Sequence, residues 1–335
     1  MPLHLLDGLE RGQHGALKLA HRALALRSGA TPRRFVGSRI AAVFMNPSLR
    51  TKTSMDFAAD AVGAKMVSLE PGTTSWGWEM QENAIMNADK AEHLVDAVGV
   101  LSEMADILAI RSFANLRDRS TDANDATLKA FVKHSSKPVV NLESALFHPL
   151  QGLADTTTWL DRLGPELKGK SLTLTWAPHP KALPTAVANQ VLYSAALQGM
   201  NVTVATPAQF SLPPFVIEQS KKIAAKHGGQ VSTTTNQLDG LRDAQVVVAK
   251  SWSGWEGYND REREAKIRKT LSDWIIDREK MSQTANAGFM HCLPVRRNVV
   301  VADEVINGPN SWTRETAGLR MWTAIALLEE MLGEA

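Results

Sequence analysis

Short continuous apolar runs alternate along this chain with longer segments in which apolar residues recur every three or four positions. The run from Ile40 to Met45 (IAAVFM) is bounded by polar residues, as expected of a strand buried on both faces. Similar strands are predicted near Lys65, Ile107 and Val139, alternating with helices near Thr51, Glu92 and Asn124. A second series places strands near Leu172, Val202, Val231, Val246 and Trp274, with helices near Pro184, Pro214 and Leu238. Such alternation predicts an α/β fold with two domains, each a parallel sheet flanked by helices. The joint falls in a helix from about His148 to Leu163, ahead of Gly164, Pro165 and the polar run ELKGK. A last helix, Glu315 to Leu332, carries a long apolar face that returns it to the first domain. The predicted domains are therefore residues 1–150, completed by 315–335, and residues 151–314.

Length and charge narrow the picture. A chain of 335 residues exceeds the usual size of one core, in keeping with two domains. Its 37 basic and 35 acidic residues leave a formal charge of +2, so there is no global field to hold nucleic acid or an anionic membrane. Any preference for anions must be local. Cys292 is the only cysteine, which forbids an intrachain disulfide and is compatible with a reducing compartment. The N-terminal stretch is amphipathic without an apolar leader core, and no later segment approaches a membrane span. The expectation is a cytoplasmic protein that binds neither nucleic acid nor membrane.

The segment Ser48 to Ser54 (SLRTKTS) concentrates the local chemistry. It sets four hydroxyls and two cations between the first strand and an amphipathic helix in which Met55, Phe57, Ala58 and Val62 are predicted to share a face. Free backbone N–H groups and the positive end of the helix dipole favour an anion there, and Arg50 can add a two-pronged contact to phosphate oxygens. Ser48 or Thr51 could equally be a plain N-cap. A cap needs one hydroxyl, however, and does not explain Arg50 and Lys52 facing the same opening.

Three further elements lie at predicted strand ends. Arg111 follows the apolar strand ILAI, where open α/β sheets bind ligands; taken alone, a surface ion pair is the better reading of it. His148, Pro149, Leu150 and Gln151 open a helix, and His148 and Gln151, three apart, can face one ligand. His291, Cys292, Leu293 and Pro294 follow NAGFM, with Arg296 and Arg297 just beyond. A metal site would need further ligands at suitable spacing, and a thiol nucleophile a depressed pKa, so a tight strand-to-loop turn stiffened by Pro294 is the simpler reading.

Taken in order, SLRTKTS, Arg111, HPLQ and HCLP resemble the aspartate and ornithine carbamoyltransferase superfamily over essentially the whole chain. The resemblance implies that Ser48, Leu49, Arg50 and Thr51 hold the phosphate of carbamoyl phosphate. Arg111, His148, Pro149, Leu150 and Gln151 would complete that site, with Cys292, Leu293 and Arg320 supplying further contacts. Arg50, Arg111, His148 and Gln151 would be the catalytic residues. Trp76 matches a residue that the family supplies from a neighbouring subunit of a homotrimer with shared active sites. It also implies that residues 1–150 with 315–335 bind carbamoyl phosphate and that 151–314 bind the acceptor. No metal or organic cofactor is implied. From the residues alone, Glu143 reads as a solvated acid beside a helix and Trp76 as a core or loop anchor.

The second half bears on the acceptor. Ordinary ornithine carbamoyltransferases carry an acid where this chain reads VVVAKSWSG, with Lys250, Ser251 and Trp252. A free α-ammonium would lose its partner there, whereas an acylated α-nitrogen needs none. Together with TWAPHPKALPTAVAN around His179, this resembles the branch acting on N-acetylornithine or N-succinylornithine in arginine biosynthesis. Within it Glu143, His179, Lys250 and Leu293 match acceptor-binding positions, Lys250 being the partner of the α-carboxylate. Acetyl-specific members carry Glu where this chain has Ala91, beside Lys90, and succinyl-specific members carry Pro. Acetyl-type enzymes also have a lysine where this chain has Val300. Both departures lean towards N-succinylornithine, with N-acetylornithine as the alternative. An ordinary ornithine carbamoyltransferase and a non-catalytic carbamoyl phosphate-binding trimer are more remote.

Overall fold

The computed structural model describes residues 3–333. Residues 1, 2, 334 and 335, at the outer edges of the predicted first domain, lie outside the described residues. The chain divides into two units. One ends at Leu153 and resumes at Gly318; the other is Ala154–Ala317.

The elements of the first unit alternate in chain order. They are α1 (Gly12–Arg27), β1 (Arg39–Phe44), α2 (Leu49–Ala61), β2 (Lys65–Leu69), β3 (Trp78–Glu79), β4 (Glu92–His93), α3 (Leu94–Met104), β5 (Ile107–Arg111), α4 (Arg119–Ala123), α5 (Ala126–His134) and β6 (Val139–Glu143). The next helix, α6 (Pro149–Leu163), carries the chain into the second unit. β1, β2, β5 and β6 form a parallel sheet in the order β2-β1-β5-β6, while β3 and β4 make a separate small ribbon. All of β5 and β6 and all but the first residue of β1 are buried, which is why β1 and β5 read as apolar runs up to their ends, while β6 also buries Asn141 and Glu143. Sequence order breaks beside β1, whose neighbours are β2 and β5, so a crevice opens at the carboxyl ends of β1 and β5.

The second unit repeats the scheme with β7 (Ser171–Trp176), α7 (Ala186–Leu197), β8 (Asn201–Ala205), α8 (Pro214–His227), β9 (Gln230–Thr234), α9 (Gln237–Leu241), β10 (Val246–Lys250), α10 (Arg261–Lys269), α11 (Arg278–Met281), β11 (Gly288–Met290) and α12 (Asp303–Ile306). Its five parallel strands run β11-β10-β7-β8-β9, and the switch lies between β7 and β10. The α/β architecture expected from the alternation is present. One strand differs: Trp274 closes a 3-10 turn, Ser272–Trp274, and the edge strand is Gly288–Met290. The aromatic and branched residues there pack as a loop, with Trp274 edge-on to Trp176 at 6.1 Å.

The last helix, α13 (Thr313–Gly333), begins in the second unit and ends in the first. Its end is fixed by ion pairs. Glu330 Oε1 accepts from Arg11 Nε at 2.6 Å, and Glu329 Oε2 from Arg22 Nε at 2.7 Å. Ala324 to Leu328 are buried, so the apolar face predicted for this helix is covered.

Candidate active site

At the carboxyl end of β1 the chain turns into α2 through Ser48, whose Oγ accepts the Thr51 amide at 3.2 Å. Ser48 is thus the N-cap, worth about 1 kcal/mol in such positions, and Arg50 and Thr51 occupy the first turn. The buried face of α2 is Thr51, Ser54, Met55, Ala58 and Ala59, continuing to Val62. Phe57, predicted on that face, is instead 57% exposed, because two positions along a helix from Met55 place it on the opposite side from Met55, Ala58 and Val62.

Thr51 is fully buried, and its Oγ1 gathers two guanidinium groups. Arg320 of α13 donates to it at 2.7 Å and Arg111 at 3.4 Å. Arg111 is the last residue of β5 and lies within the strand, buried; its pair is with Glu143, at 2.5 Å, also buried, at the end of β6. The surface ion pair and the solvated acid are therefore both replaced by one desolvated pair. Glu143 Oε2 lies 3.5 Å from His148 Nε2 as well. Phe113 supplies a wall, with the Arg111 guanidinium carbon 4.4 Å from the ring centre. Residues scattered from position 51 to position 320 thus meet at one helix N-terminus.

His148 precedes α6 and is 3% exposed. Burial, then the charges of Arg320, Arg111 and Arg50, hold its pKa well below the ordinary histidine value. It is a neutral imidazole at pH 7. Pro149, Leu150 and Gln151 form the first turn of α6, with Leu150 and Gln151 buried and the Gln151 amide donating to the His148 carbonyl at 2.8 Å. Two side chains that sequence reasoning missed hold this turn. Asp125 Oδ2 accepts from Ser144 Oγ at 2.5 Å, and Asn141 Nδ2 donates to the same hydroxyl at 3.1 Å. In the sequence Asp125 looks like an ordinary polar residue ahead of a helix, so nothing there signals the tie. Lys52 departs from expectation: its ammonium binds Glu70 Oε1 at 2.6 Å on the exposed side of α2. It does not join Arg50 at the opening.

The ribbon of the first unit carries the remaining predicted residues there. Trp76, 70% exposed, is a presented side chain and not a core anchor. A methyl group placed on Gly77 would sit 3.4 Å from Lys90 Cδ, so Lys90 lies along the Trp76 to Trp78 segment, and Ala91 follows it exposed.

In the second unit the predicted residues gather at the β7–β10 switch. Lys250 ends β10, and its carbonyl accepts the Ala177 amide at 3.0 Å, two residues before His179. His179 Nδ1 accepts the Lys181 amide at 3.0 Å. Partial burial is the first cause that lowers its pKa, and Lys250, Arg296 and Arg268 add to the shift. The loop after Lys250 is pinned by aromatic packing: Trp176 Nε1 donates to the Trp252 carbonyl at 3.0 Å, and Trp252 Nε1 to that of Phe210 at 2.6 Å. Buried Arg268, paired with Glu264, donates to Ser251 Oγ at 3.4 Å and Ser253 Oγ at 3.3 Å. Arg268 was not foreseen, since a basic residue in REREAKIRK reads as solvated. Leu293 has a left-handed backbone (φ 53°) and donates its amide to His291 Nδ1 at 2.9 Å, with Cys292 between them and a cis Leu293–Pro294 bond after it. This is the tight turn expected. Val300 is buried in the apolar cluster with Ile276, Phe289 and Val301.

Among the described residues no group of three or more His, Cys, Asp or Glu is disposed to hold a metal ion, and no helix is long and apolar enough to cross a membrane. What the first unit offers is cationic and neutral donors fixed around a helix N-terminus, an arrangement that stabilises charge on an anion's oxygens.

Known proteins place the chain. Residues 4–161 match the aspartate/ornithine carbamoyltransferase carbamoyl-P binding domain, and residues 183–331 match the Asp/Orn binding domain. The chain belongs to the aspartate/ornithine carbamoyltransferase family. Relatives of the family place it in the N-acylornithine branch. N-acetylornithine carbamoyltransferase of Xanthomonas campestris is 36% identical over 301 residues, covering 89% of this chain and 88% of that protein. N-succinylornithine carbamoyltransferase of Bacteroides fragilis is 33% identical over 290 residues, covering 87% and 86%. A crystal structure of N-acetyl-L-ornithine transcarbamylase, in a variant with one glutamate changed to alanine, superposes with a TM-score of 0.95 at 34% identity, over 98% of this chain and 99% of that one. That variant is complexed with carbamyl phosphate and N-succinyl-L-norvaline.

Proposed function

We propose that the protein transfers the carbamoyl group of carbamoyl phosphate to the δ-amine of N2-succinyl-L-ornithine, releasing N-succinyl-L-citrulline and phosphate in arginine biosynthesis. The observation that supports it most is the meeting of Arg111, Arg320 and His148 around Thr51 at the N-terminus of α2. Three guanidiniums close enough to depress His148 make this turn favourable to an anion, and carbamoyl phosphate brings a dianionic phosphate and a carbonyl oxygen that gains charge during attack.

The division of labour follows from the chemistry. Arg50, Thr51, Arg320 and the free amides of the first turn of α2 receive the phosphate. Arg111 and the neutral imidazole of His148 face the carbonyl oxygen, and Gln151 holds the carbamoyl amino group. The δ-amine attacks the carbonyl carbon, the bond to the phosphate oxygen breaks, and the departing phosphate takes up the amine proton. Holding both reactants in line supplies roughly 7–11 kcal/mol of the barrier. Lys250 pairs with the acceptor's α-carboxylate, His179, Glu143 and Leu293 line its chain, and exposed Trp76 serves a neighbouring subunit of a homotrimer.

The acyl group is assigned from two positions. Alanine at 91 leaves room and adds no negative charge, where acetyl-specific relatives carry glutamate. The variant relative with its glutamate shortened to alanine, crystallised with an N-succinyl compound, supports this. Val300 sits in an apolar cluster that would not accept the lysine of acetyl-type enzymes. N-acetylornithine is the second reading, favoured by the 36% identity to the Xanthomonas enzyme against 33% to the Bacteroides one. A coupled assay with carbamoyl phosphate and ornithine, N-acetylornithine or N-succinylornithine decides between them. The expected result is the highest kcat/KM with N-succinylornithine; a preference for N-acetylornithine replaces the acyl assignment, and no turnover with any acceptor removes the catalytic reading.

A further inference from the structure

Glu143 does more in this geometry than line an acceptor site. Its Oε2 stands 2.5 Å from Arg111 and 3.5 Å from His148 Nε2. That is the position, between the same two donors, that the proposed reaction requires of the carbonyl oxygen of carbamoyl phosphate. The carboxylate is 8% exposed, Arg111 6% and His148 3%, so the pair is desolvated and its charges are felt strongly. A second anion cannot take up Arg111 while Glu143 keeps it without placing two negative groups on one guanidinium.

We infer that Glu143 is a displaceable internal counter-ion: it pairs with Arg111 beside His148, competes with the donor for them, and is freed by donor binding to face the acceptor's amine. This rests on the carbamoyl phosphate reading above. It makes Glu143 a positioning residue for the donor groups and links the two substrates through one side chain. Without Glu143, Arg111 would lie buried and uncompensated between turnovers, a costly arrangement. With it, Arg111 is neutralised at the expense of donor affinity, and phosphate release is assisted when the carboxylate returns to Arg111.

The prediction has an unusual sign. Glu143→Gln keeps the shape of the side chain and removes its charge, so calorimetry should show carbamoyl phosphate and inorganic phosphate binding about tenfold more tightly than to the wild type, equivalent to about 1.4 kcal/mol. In steady state the donor KM falls, the acceptor KM rises, and inhibition by phosphate strengthens. Glu143→Asp keeps the charge but draws it back from Arg111, and its donor affinity lies between the two. Thermal unfolding supplies an independent reading, because carbamoyl phosphate should raise the Tm of Glu143→Gln more than that of the wild type. A merely structural role weakens donor and acceptor together in both variants, and that outcome overturns the inference. Should Glu143→Gln fail to fold, Glu143→Asp alone decides: tighter donor binding than wild type supports the exchange, and equal or weaker binding ends it. A wild-type protein that binds no carbamoyl phosphate overturns the exchange and the functional reading together.

Discussion

The two units present their candidate residues in different ways. In the first, Thr51, Arg111, Glu143, His148 and Arg320 are all under a tenth exposed and touch one another directly, at strand ends and a helix N-terminus. In the second, Lys250 at the end of β10 and His179 on the loop after β7 are half-buried, and the rigidity lies behind them, in Trp176, Trp252 and the Arg268–Glu264 pair. The first arrangement suits a ligand whose shape never changes: the donors Thr51, Arg111, His148 and Arg320 are set around one helix N-terminus before the anion arrives. The second suits a site in which loop residues can vary over a constant scaffold. Loss of a group from the first unit should therefore damage the chemistry, and loss from the second should damage choice of acceptor.

The largest effect tests the first half of that contrast. Arg50→Ala removes a cation from the turn where the phosphate is expected, and kcat/KM should fall on the order of 10²–10³-fold for every acceptor alike, with the fold intact by circular dichroism. Near-normal turnover would remove the helix N-terminus from the mechanism. Next comes Lys250→Met, which deletes one charged contact to the acceptor. A charge-assisted hydrogen bond is worth about 1.5–3 kcal/mol, so acceptor KM should rise roughly 10- to 100-fold while carbamoyl phosphate binds as before. Should donor binding weaken equally, the division between the units fails.

The contrast also explains what could be read from sequence. Strands β1 and β5 were legible because burial on both faces leaves an apolar run up to the strand end, β6 because it opens with two valines after Pro138, and the motifs at their ends are short and contiguous. The α/β fold and the family followed from those. Trp274 and the isoleucines after it mimic a strand, yet the Trp274 and Ile275 amides bond back into a 3-10 turn, Ile276 makes a single bridge to the Val300–Val301 segment, and the true edge strand is three residues long. Phe57 and Lys52 were misplaced because helix periodicity sets Phe57 opposite Met55 and Ala58, and because Glu70, 18 positions from Lys52, draws its ammonium to the exposed side. Glu143 and Asp125 were beyond local reading altogether. Their partners are Arg111 and Ser144, 32 and 19 positions away, and no spacing rule announces a pair formed across strand ends.

A smaller effect sharpens the comparison at the acyl group. Ala91→Glu adds a carboxylate beside Lys90 on the β3–β4 ribbon, where it would crowd and repel a second negative charge on the substrate. The ratio of kcat/KM for N-succinylornithine to that for N-acetylornithine should drop by about tenfold, the size of a single repulsive contact of about 1.4 kcal/mol. An equal fall for both acceptors would refute the assignment of Ala91 while leaving Arg50 and Lys250 untouched.

The smallest effect is on stability, and it separates the two histidines. Burial and three arginines hold His148 neutral in the folded protein, with its pKa well below 6.5, whereas the unfolded chain protonates it normally. Above pH 6.5 neither state carries the proton and His148 adds no pH dependence. Below it the unfolded state binds a proton that the folded state refuses, so stability falls as pH drops, with a limiting slope of about 1.4 kcal/mol per pH unit. His148→Gln should lack this slope. The difference in unfolding free energy between wild type and variant, from urea titrations at pH 7.5 and 5.5, should therefore shift against the wild type by about 1 kcal/mol at the lower pH. His179 is also lowered, by partial burial first and nearby cations second, but it stands half in solvent, and His179→Gln should show a clearly smaller shift in the same direction. Equal shifts would mean that the first unit's site is as solvated as the second's, and the contrast between a pre-formed donor site and a loop-borne acceptor site would be lost.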